Sequence, residues 1–239
     1  MVIKKALTSV FIFSALSAWP VLADDNGHSD PDPFESFNRK VYAFNDFADR
    51  TVLTPVARGY QALTPQFLDD GVSNFFANLG DANSALNSLL QFNIDTMAAD
   101  TGRFLLNTTI GVLGIIDVAS AVGVERSGAD FGQTLAVWGV DSGPYIVLPL
   151  MGPATVRSGL GGMINAQLSW RAYVDHVPTR NSSYAIDLID KRADLLRAEE
   201  LISGDRYIFI RDAFLQRRQF LISGEVVDDF GDEDFNWDE

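Results

Sequence analysis

The stretch from Phe131 to Gly162 constrains this chain more than any other. It holds only two charged residues, Asp141 and Arg157, among Leu, Val, Ile, Trp, Tyr, Pro and Gly. Its longest uncharged run, Ser142 to Val156, is fifteen residues and is broken by Pro144, Pro149 and Pro153 with Gly143 and Gly152. A helix that crosses a bilayer needs roughly twenty apolar residues without such breaks. The segment is therefore apolar without spanning. Two readings stay open: the hydrophobic centre of a soluble domain, or irregular backbone packed among helices that themselves meet lipid. Its many glycines favour close backbone approach and tight turns over a strong helix or an ordinary buried strand.

The flanks narrow the setting. Lys4 and Lys5, the apolar run Ala6 to Trp19 and the small-residue site Val21-Leu22-Ala23 read as a signal peptide over residues 1–23, placing the mature chain outside the cytoplasm. Residues 24–31 form a polar, flexible leader, and residues 225–239, with eight acids, an acidic disordered tail. The chain between them, 32–224, is long enough for one core and shows no dividing linker. There is no cysteine, hence no disulfide, no thiolate nucleophile and no thiol to carry an acyl anchor. The formal charge of −14 becomes two units more negative once Lys4 and Lys5 leave. Such a chain is repelled by nucleic acid and by anionic headgroups, so contact with a membrane must be hydrophobic.

Periodicity predicts a mainly α domain. Asp32-Pro33-Phe34-Glu35 reads as a helix start with Asp32 as N-cap, leading into a helix to about Thr51 with Phe34, Phe37, Val41, Phe44 and Ala48 on its apolar face. Asn38, Arg39, Asn45 and Asp46 on that helix are either solvated or cross-links to neighbouring segments. A short helix is expected over Pro55 to Tyr60, one from Phe67 that closes at Gly80, and another from Ala82 to Phe92. Asn78, Asn83, Asn87 and Asn93 lie on or beside these two, as turn residues or as amides that satisfy backbone in an apolar surrounding. Thr96 to Leu106 is expected to turn Ala98, Ala99 and Gly102 toward a close neighbour, and 122–132 is a glycine-punctuated loop and a candidate moving part. Thr134 to Trp138 and Tyr145 to Leu150 read as short strands or turns, and Ala154 to Asn165 as a loose small-residue helix. Trp170 to His176 is open between helix and strand, Ser182-Ser183 caps a helix that ends at Ser203-Gly204, and Asp205 caps one that ends at Ser223-Gly224.

No chemistry stands out. His28 and His176 have no second histidine at ligand spacing, and Ser158 lacks the flanking glycines of a nucleophile elbow. No phosphate loop or dinucleotide fingerprint is present. The expectation is no catalytic residue, no metal and no cofactor.

Several blocks, in collinear order, resemble the MlaA/VacJ family. They are Asp32-Pro33-Phe34-Glu35-Ser36-Phe37-Asn38-Arg39, Arg103-Phe104-Leu105-Leu106-Asn107-Thr108, Asp117-Val118-Ala119, Phe131-Gly132-Gln133-Thr134-Leu135, Trp138-Gly139-Val140, Gly143-Pro144-Tyr145, Leu148-Pro149 and Phe214-Leu215-Gln216-Arg217. The resemblance implies a ring-shaped, helical, non-catalytic protein around a Gly/Pro-rich centre, seated in the inner leaflet of the Gram-negative outer membrane on its periplasmic side. It implies a channel through which phospholipid strayed into the outer leaflet passes to a soluble periplasmic phospholipid-binding protein, beside a trimeric porin. Candidate channel and gating residues on that basis are Phe37, Asn38, Arg39, Asn45, Asp46, Phe47, Arg103, Asn107, Gly132, Gly143, Pro144, Tyr145 and Pro149. One departure matters: the family is lipidated on a cysteine after its signal, where this chain has Ala23-Asp24. The competing reading is a soluble periplasmic binding or structural protein with the apolar segment in its core.

Overall fold

Helices dominate the computed structural model, which describes residues 32–199 and 204–224. The expected signal segment, leader, acidic tail and the helix end at Ser203 lie outside the described residues. From Phe34 on, the described residues form one compact unit. In order come α1 (Glu35–Ala48), a π-helical turn (Asp49–Leu53), α2 (Thr54–Leu63), α3 (Gln66–Leu90), α4 (Ile94–Thr109), α5 (Val118–Ala121) and α6 (Phe131–Val137). Strands β1 (Tyr145–Leu148) and β2 (Gly152–Thr155) follow, then α7 (Val156–Leu168), a 3₁₀ turn (Trp170–Tyr173), α8 (Val177–Ala198) and α9 (Arg206–Ser223). No described helix is long and apolar enough to cross a membrane.

Several boundaries differ from the expectations for identifiable reasons. Phe34, not Asp32, occupies the N-cap position of α1, and no side chain caps it. Pro55 does not break the helix that precedes it. The backbone stays helical through Ala48, Asp49, Leu53 and Thr54 by switching to wider π bonding over Asp49–Leu53. Pro55 thereby falls in the first turn of α2, where its missing N–H is not needed. Gly80 does not close a helix either: α3 runs through it for 25 residues. A helical glycine costs about 1 kcal/mol against alanine, and the polar anchors on both sides of Gly80, described below, hold this one in line. Residues 131–137 are helical rather than extended because the Asp130 carboxylate accepts from Gln133 N–H at 2.9 Å and so builds an N-terminus. Helix α8 starts at Val177, ahead of Ser182-Ser183, with the His176 ring as N-cap and Pro178 in the first turn. Asp205 does cap α9, accepting from Tyr207 N–H and Ile208 N–H, and Gly224 ends it in the left-handed conformation. The undecided stretch at Trp170 is the 3₁₀ turn.

Burial runs opposite to the usual rule. On α1 the fully buried side chain is Asn38, while Phe37 is 63% and Phe47 67% exposed. The buried residues of α3 are Gly71, Asn78, Asp81, Ser84, Asn87 and Ser88, and those of α4 are Asp100, Arg103 and Asn107. Leu63, Phe67, Phe92, Leu105, Ile110, Leu113, Leu150 and Met151 all point outward. Of the apolar stripe expected to bury α1, Phe37 and Phe44 face away while Val41 packs inward on the hairpin, and of its polar residues Asn38 faces in. Ala98 is exposed and Gly102 has open space beside it, so these small residues of α4 meet no close neighbour.

Two contacts fix the apolar segment 131–162, one to α1 and one within the segment itself. The hairpin β1–β2 pairs Val147 with Pro153 in antiparallel register, and the outer edge of β1 is met by amides from α1. Asn38 donates to Tyr145 C=O at 3.1 Å and accepts from Val147 N–H at 2.9 Å. Seven residues on, Asn45 donates to Leu148 C=O and accepts from Leu150 N–H. Because Val147 N–H turns to Asn38, Pro153 sits opposite a position that needs no donor. Behind the hairpin a small aromatic core joins α1, β1 and α9, where Tyr207 meets Tyr42 and Tyr145 edge-on at 5.6 and 6.3 Å. The second contact is the crossing of α6 and α7, where a Cβ on Gly161 would lie 2.4 Å from the Gly132 nitrogen. Only glycine permits that backbone approach.

Substituting Gly161→Ala is expected to lower stability by about 1–3 kcal/mol or more through overpacking, read as a fall in the thermal midpoint of the detergent-solubilised protein. Asn38→Ala should lower it as well, since each buried backbone group left without a partner costs about 1–3 kcal/mol. The same change at Asp46, whose ion-pair partner Arg50 is exposed, should change the midpoint far less.

Candidate functional site

The polar interior is built first by α3, α4 and the segment that follows them. Arg103 is fully buried. Its guanidinium donates to Asp81 at 3.3 Å, to both carboxylate oxygens of Asp117 at 2.9 and 3.0 Å, to Ser120 Oγ and to Val124 C=O. One turn on, Asn107 donates to Asp117 at 2.9 Å and accepts from Ala119 N–H at 2.9 Å, and its own carbonyl accepts from Gly114 N–H. These bonds fold back the turn 110–116, where Val112, Leu113 and Gly114 take positive φ and Ile110, Val112, Leu113, Ile115 and Ile116 face outward. Burial works to raise the Asp117 carboxyl, but hydrogen bonds from Ser120, Asn107 and Arg103 outweigh it and hold the group well below the usual carboxylate range. A fully satisfied network of this kind specifies one arrangement, and removing one partner of a buried pair typically costs about 3–5 kcal/mol.

The loop 122–130 is fastened to the same network. Arg126 donates to Asp81 at 2.7 Å, Ser127 Oγ to Asp100 at 2.6 Å, and Gln133 to Gly128 C=O at 3.1 Å. Asp130 at its end pairs with Arg218 of α9. Asn87 links the helices beyond, donating to Asn165 of α7 and accepting from Thr134 of α6, both at 3.1 Å.

Beside this network lies a cavity of about 540 Å³ bordered by α3, the loop 122–130, α7, the 3₁₀ turn and α8. Ser73, Phe76, Gly80 and Asn83 line it from α3, Gly162, Asn165 and Ser169 from α7 and the residue after it, and Tyr184, Asp187, Asp190, Lys191 and Asp194 from α8. The α8 acids stand three and four residues apart, so one helical face carries them. Arg171 enters from the 3₁₀ turn, bonds Asp187 at 3.0 Å and lies over the rings of Tyr184, Phe76 and Trp170 at 4.7, 5.1 and 5.1 Å. Asp190, 2% exposed, accepts from Ser73 Oγ at 2.8 Å and Tyr60 Oη at 3.1 Å. A second buried cluster, Arg192 on Asp49, Thr54 and Glu199, ties α8 to the π turn and to α2.

The residues singled out from the sequence fall in three places. Arg103 and Asn107 are the centre of the buried network; Asn38, Asn45 and Tyr145 form the clamp between α1 and β1; Gly132 sits at the α6–α7 crossing. Arg39 bridges Glu35 and Asp205 and covers the Tyr207 ring at 4.5 Å, while Asp46 pairs with Arg50. Phe37, Phe47 and Pro149 are exposed, Pro144 is partly buried, and the positive φ of Gly143 turns the chain into β1. None of the thirteen borders the cavity, and of 131–162 only Gly162 does. Arg126, Arg171, Asp187, Asp190 and Lys191 were missed. The available signal was a row of acids at three- and four-residue spacing on α8, which the leucines and isoleucines between them obscured. Ser158 and His176 both serve helix starts, Ser158 in the capping box of α7 with Thr155.

Comparison with known proteins comes to the same family by three routes. The family model described as MlaA lipoprotein matches residues 30–221. A protein of Escherichia coli K12 called "Intermembrane phospholipid transport system lipoprotein MlaA" is 35% identical over 210 residues, 84% of this chain and 81% of its own length. The Haemophilus influenzae protein of the same name is 34% identical, with 82% of each chain covered, and an uncharacterised Rickettsia typhi protein is 38% identical over 192 residues, 79% of this chain and 76% of its own. A solved structure, concerned with the structural basis for maintenance of bacterial outer membrane lipid asymmetry, superposes with a TM-score of 0.70 at 33% identity, covering 80% of this chain and 98% of that one.

The Asp117 network carries a pH signature. A carboxyl held low in the folded state adds stability above the ordinary carboxylate pKa of about 3.9 and loses it as pH falls below that value. Thermal midpoints measured from pH 6 downward should therefore drop steeply below about pH 4 for the unmodified protein, and less steeply for Asp117→Asn.

Proposed function

This chain belongs to the MlaA lipoprotein family, and from that premise we propose that it is a non-catalytic phospholipid conduit of the outer membrane. It takes phospholipid misplaced in the outer leaflet and passes it to a soluble periplasmic phospholipid-binding protein, so maintaining lipid asymmetry. The observation that carries this reading is the inverted burial: Arg103, Asp81, Asn87 and Asn107 inside, Phe47, Leu63, Phe92 and Leu113 outside.

That inversion suits lipid and does not suit water. Acyl chains give helices no hydrophobic drive to associate, so they hold together through small residues and hydrogen-bonded polar side chains, as α3, α4, α6 and α7 do here. Exposed apolar surface on this scale is rare on a soluble monomer. A soluble protein with the apolar segment as its core fits less well, because Val137, Trp138, Leu150, Met151 and Leu160 of that segment face outward. A headgroup crossing such a protein must stay wet or hydrogen-bonded, which a polar cavity supplies, while its tails need only apolar surface.

In this reading the protein sits in the inner leaflet, reached from the periplasm, beside a trimeric porin. With no cysteine in the sequence, its apolar exterior and its protein neighbours hold it there. The α1 clamp at Asn38 and Asn45, and the loop 122–130 pinned through Arg126, are the two places where opening would be controlled.

Deleting the gene is expected to raise outer-leaflet phospholipid and detergent sensitivity, and the unmodified gene to reverse both. An unchanged outer leaflet would sink the proposal. In fractionated cells the protein should stay with membranes through a high-salt wash, since its contact with lipid is apolar rather than ionic. Release into the soluble fraction as a monodisperse monomer would favour the soluble alternative.

A further inference from the structure

The cavity has an uneven charge inventory. Each of its three cations is already tied to a carboxylate, Arg126 to Asp81 and both Arg171 and Lys191 to Asp187. Asp190 is different. Its two oxygens accept from the neutral hydroxyls of Tyr60 and Ser73, and among the described residues no cationic side chain reaches it. Burial, with Asp194 and Asp69 nearby, pushes its carboxyl up, which is the behaviour of a negative charge lacking a positive partner. A further acceptor, across the cavity on α3, is short of a donor. Asn83 Oδ1 is buried and unbonded. Buried acceptors without donors are costly and point to a missing donor.

A ligand that fits must bring a cation with several N–H donors to α8 and must have room for the rest of itself in about 540 Å³. We propose that this cavity receives the headgroup of a zwitterionic phospholipid, with its ammonium at Asp190 and its phosphate at Lys191. These neighbours on α8 both line the cavity, and the Lys191 side chain is 67% exposed and able to swing from Asp187 to a phosphate. An anionic glycerol headgroup offers no cation to Asp190. The chain thereby prefers ammonium-bearing lipids over anionic ones. This rests on the lipid-conduit reading above.

The test uses the full-length chain in non-ionic detergent and calorimetric titration with dihexanoyl phosphatidylethanolamine, dihexanoyl phosphatidylglycerol and free phosphoethanolamine. The ethanolamine lipid is expected to bind about fivefold tighter than the glycerol lipid, the scale of one charge contact in a partly wet site. Asp190→Asn, which retains an acceptor for Tyr60 and Ser73, should bring the ratio to about one, and Asp190→Glu should keep a preference. Equal binding of the two lipids by the unmodified protein overturns the proposal even if the variant fails to fold, and so does an undiminished preference in a folded Asp190→Asn. Free phosphoethanolamine binding as tightly as the lipid overturns the assignment to a lipid headgroup. Failure to bind either lipid strikes at the conduit reading itself, whereas binding both without preference strikes only at this one.

Discussion

Arg103 is the group on which the arrangement turns. A guanidinium removed from water must have its donors met by the protein, and here Asp81, Asp117, Ser120 and Val124 meet them. Those partners come from α3, α5 and the loop after it, so satisfying one side chain fixes the positions of three segments. Apolar packing does not do this job. Among the described residues the buried apolar ones are few and half of them are alanines, with Ala57, Ala119, Ala154 and Ala193 among them. Where the surroundings are as apolar as the side chains, directional bonds are what remain to choose one fold over another.

Seen this way the helices are ordinary in propensity and unusual in orientation. Each carries a polar or small stripe and an apolar one, as any amphipathic helix does. The medium decides which stripe goes inside. Residues such as Asn78, Asn87 and Asn107 then act as the core, and the phenylalanines of α1 as the outward-facing side, the arrangement that the proposed lipid setting calls for. Glycine has a matching part, since it lets α6 and α7 touch backbone to backbone at Gly132 and Gly161.

This explains what the sequence disclosed. Helical class, the Asp205 cap and the Gly224 stop were readable because they depend on local rules that hold in any medium. The direction of Phe37 and Phe44 was not, because periodicity gives a stripe and not the side it faces. Gly80 and Pro55 were read as stops because local propensity says so, and longer-range bonds from Asp81 and Arg192 override it. The family blocks marked Arg103, Asn107 and Asn38, all of which hold structure together. The cavity residues of α8 lay outside those blocks, in a helix whose leucines and isoleucines drew the eye.

The amides on β1 have one more effect. A two-stranded ribbon ordinarily leaves a row of unmet N–H and C=O groups along which another chain can add itself. Asn38 and Asn45 occupy that row with side chains, at Tyr145, Val147, Leu148 and Leu150. That edge of the ribbon is thus closed to a third strand, and a chain with so much exposed hydrocarbon surface is spared one direct template for aggregation.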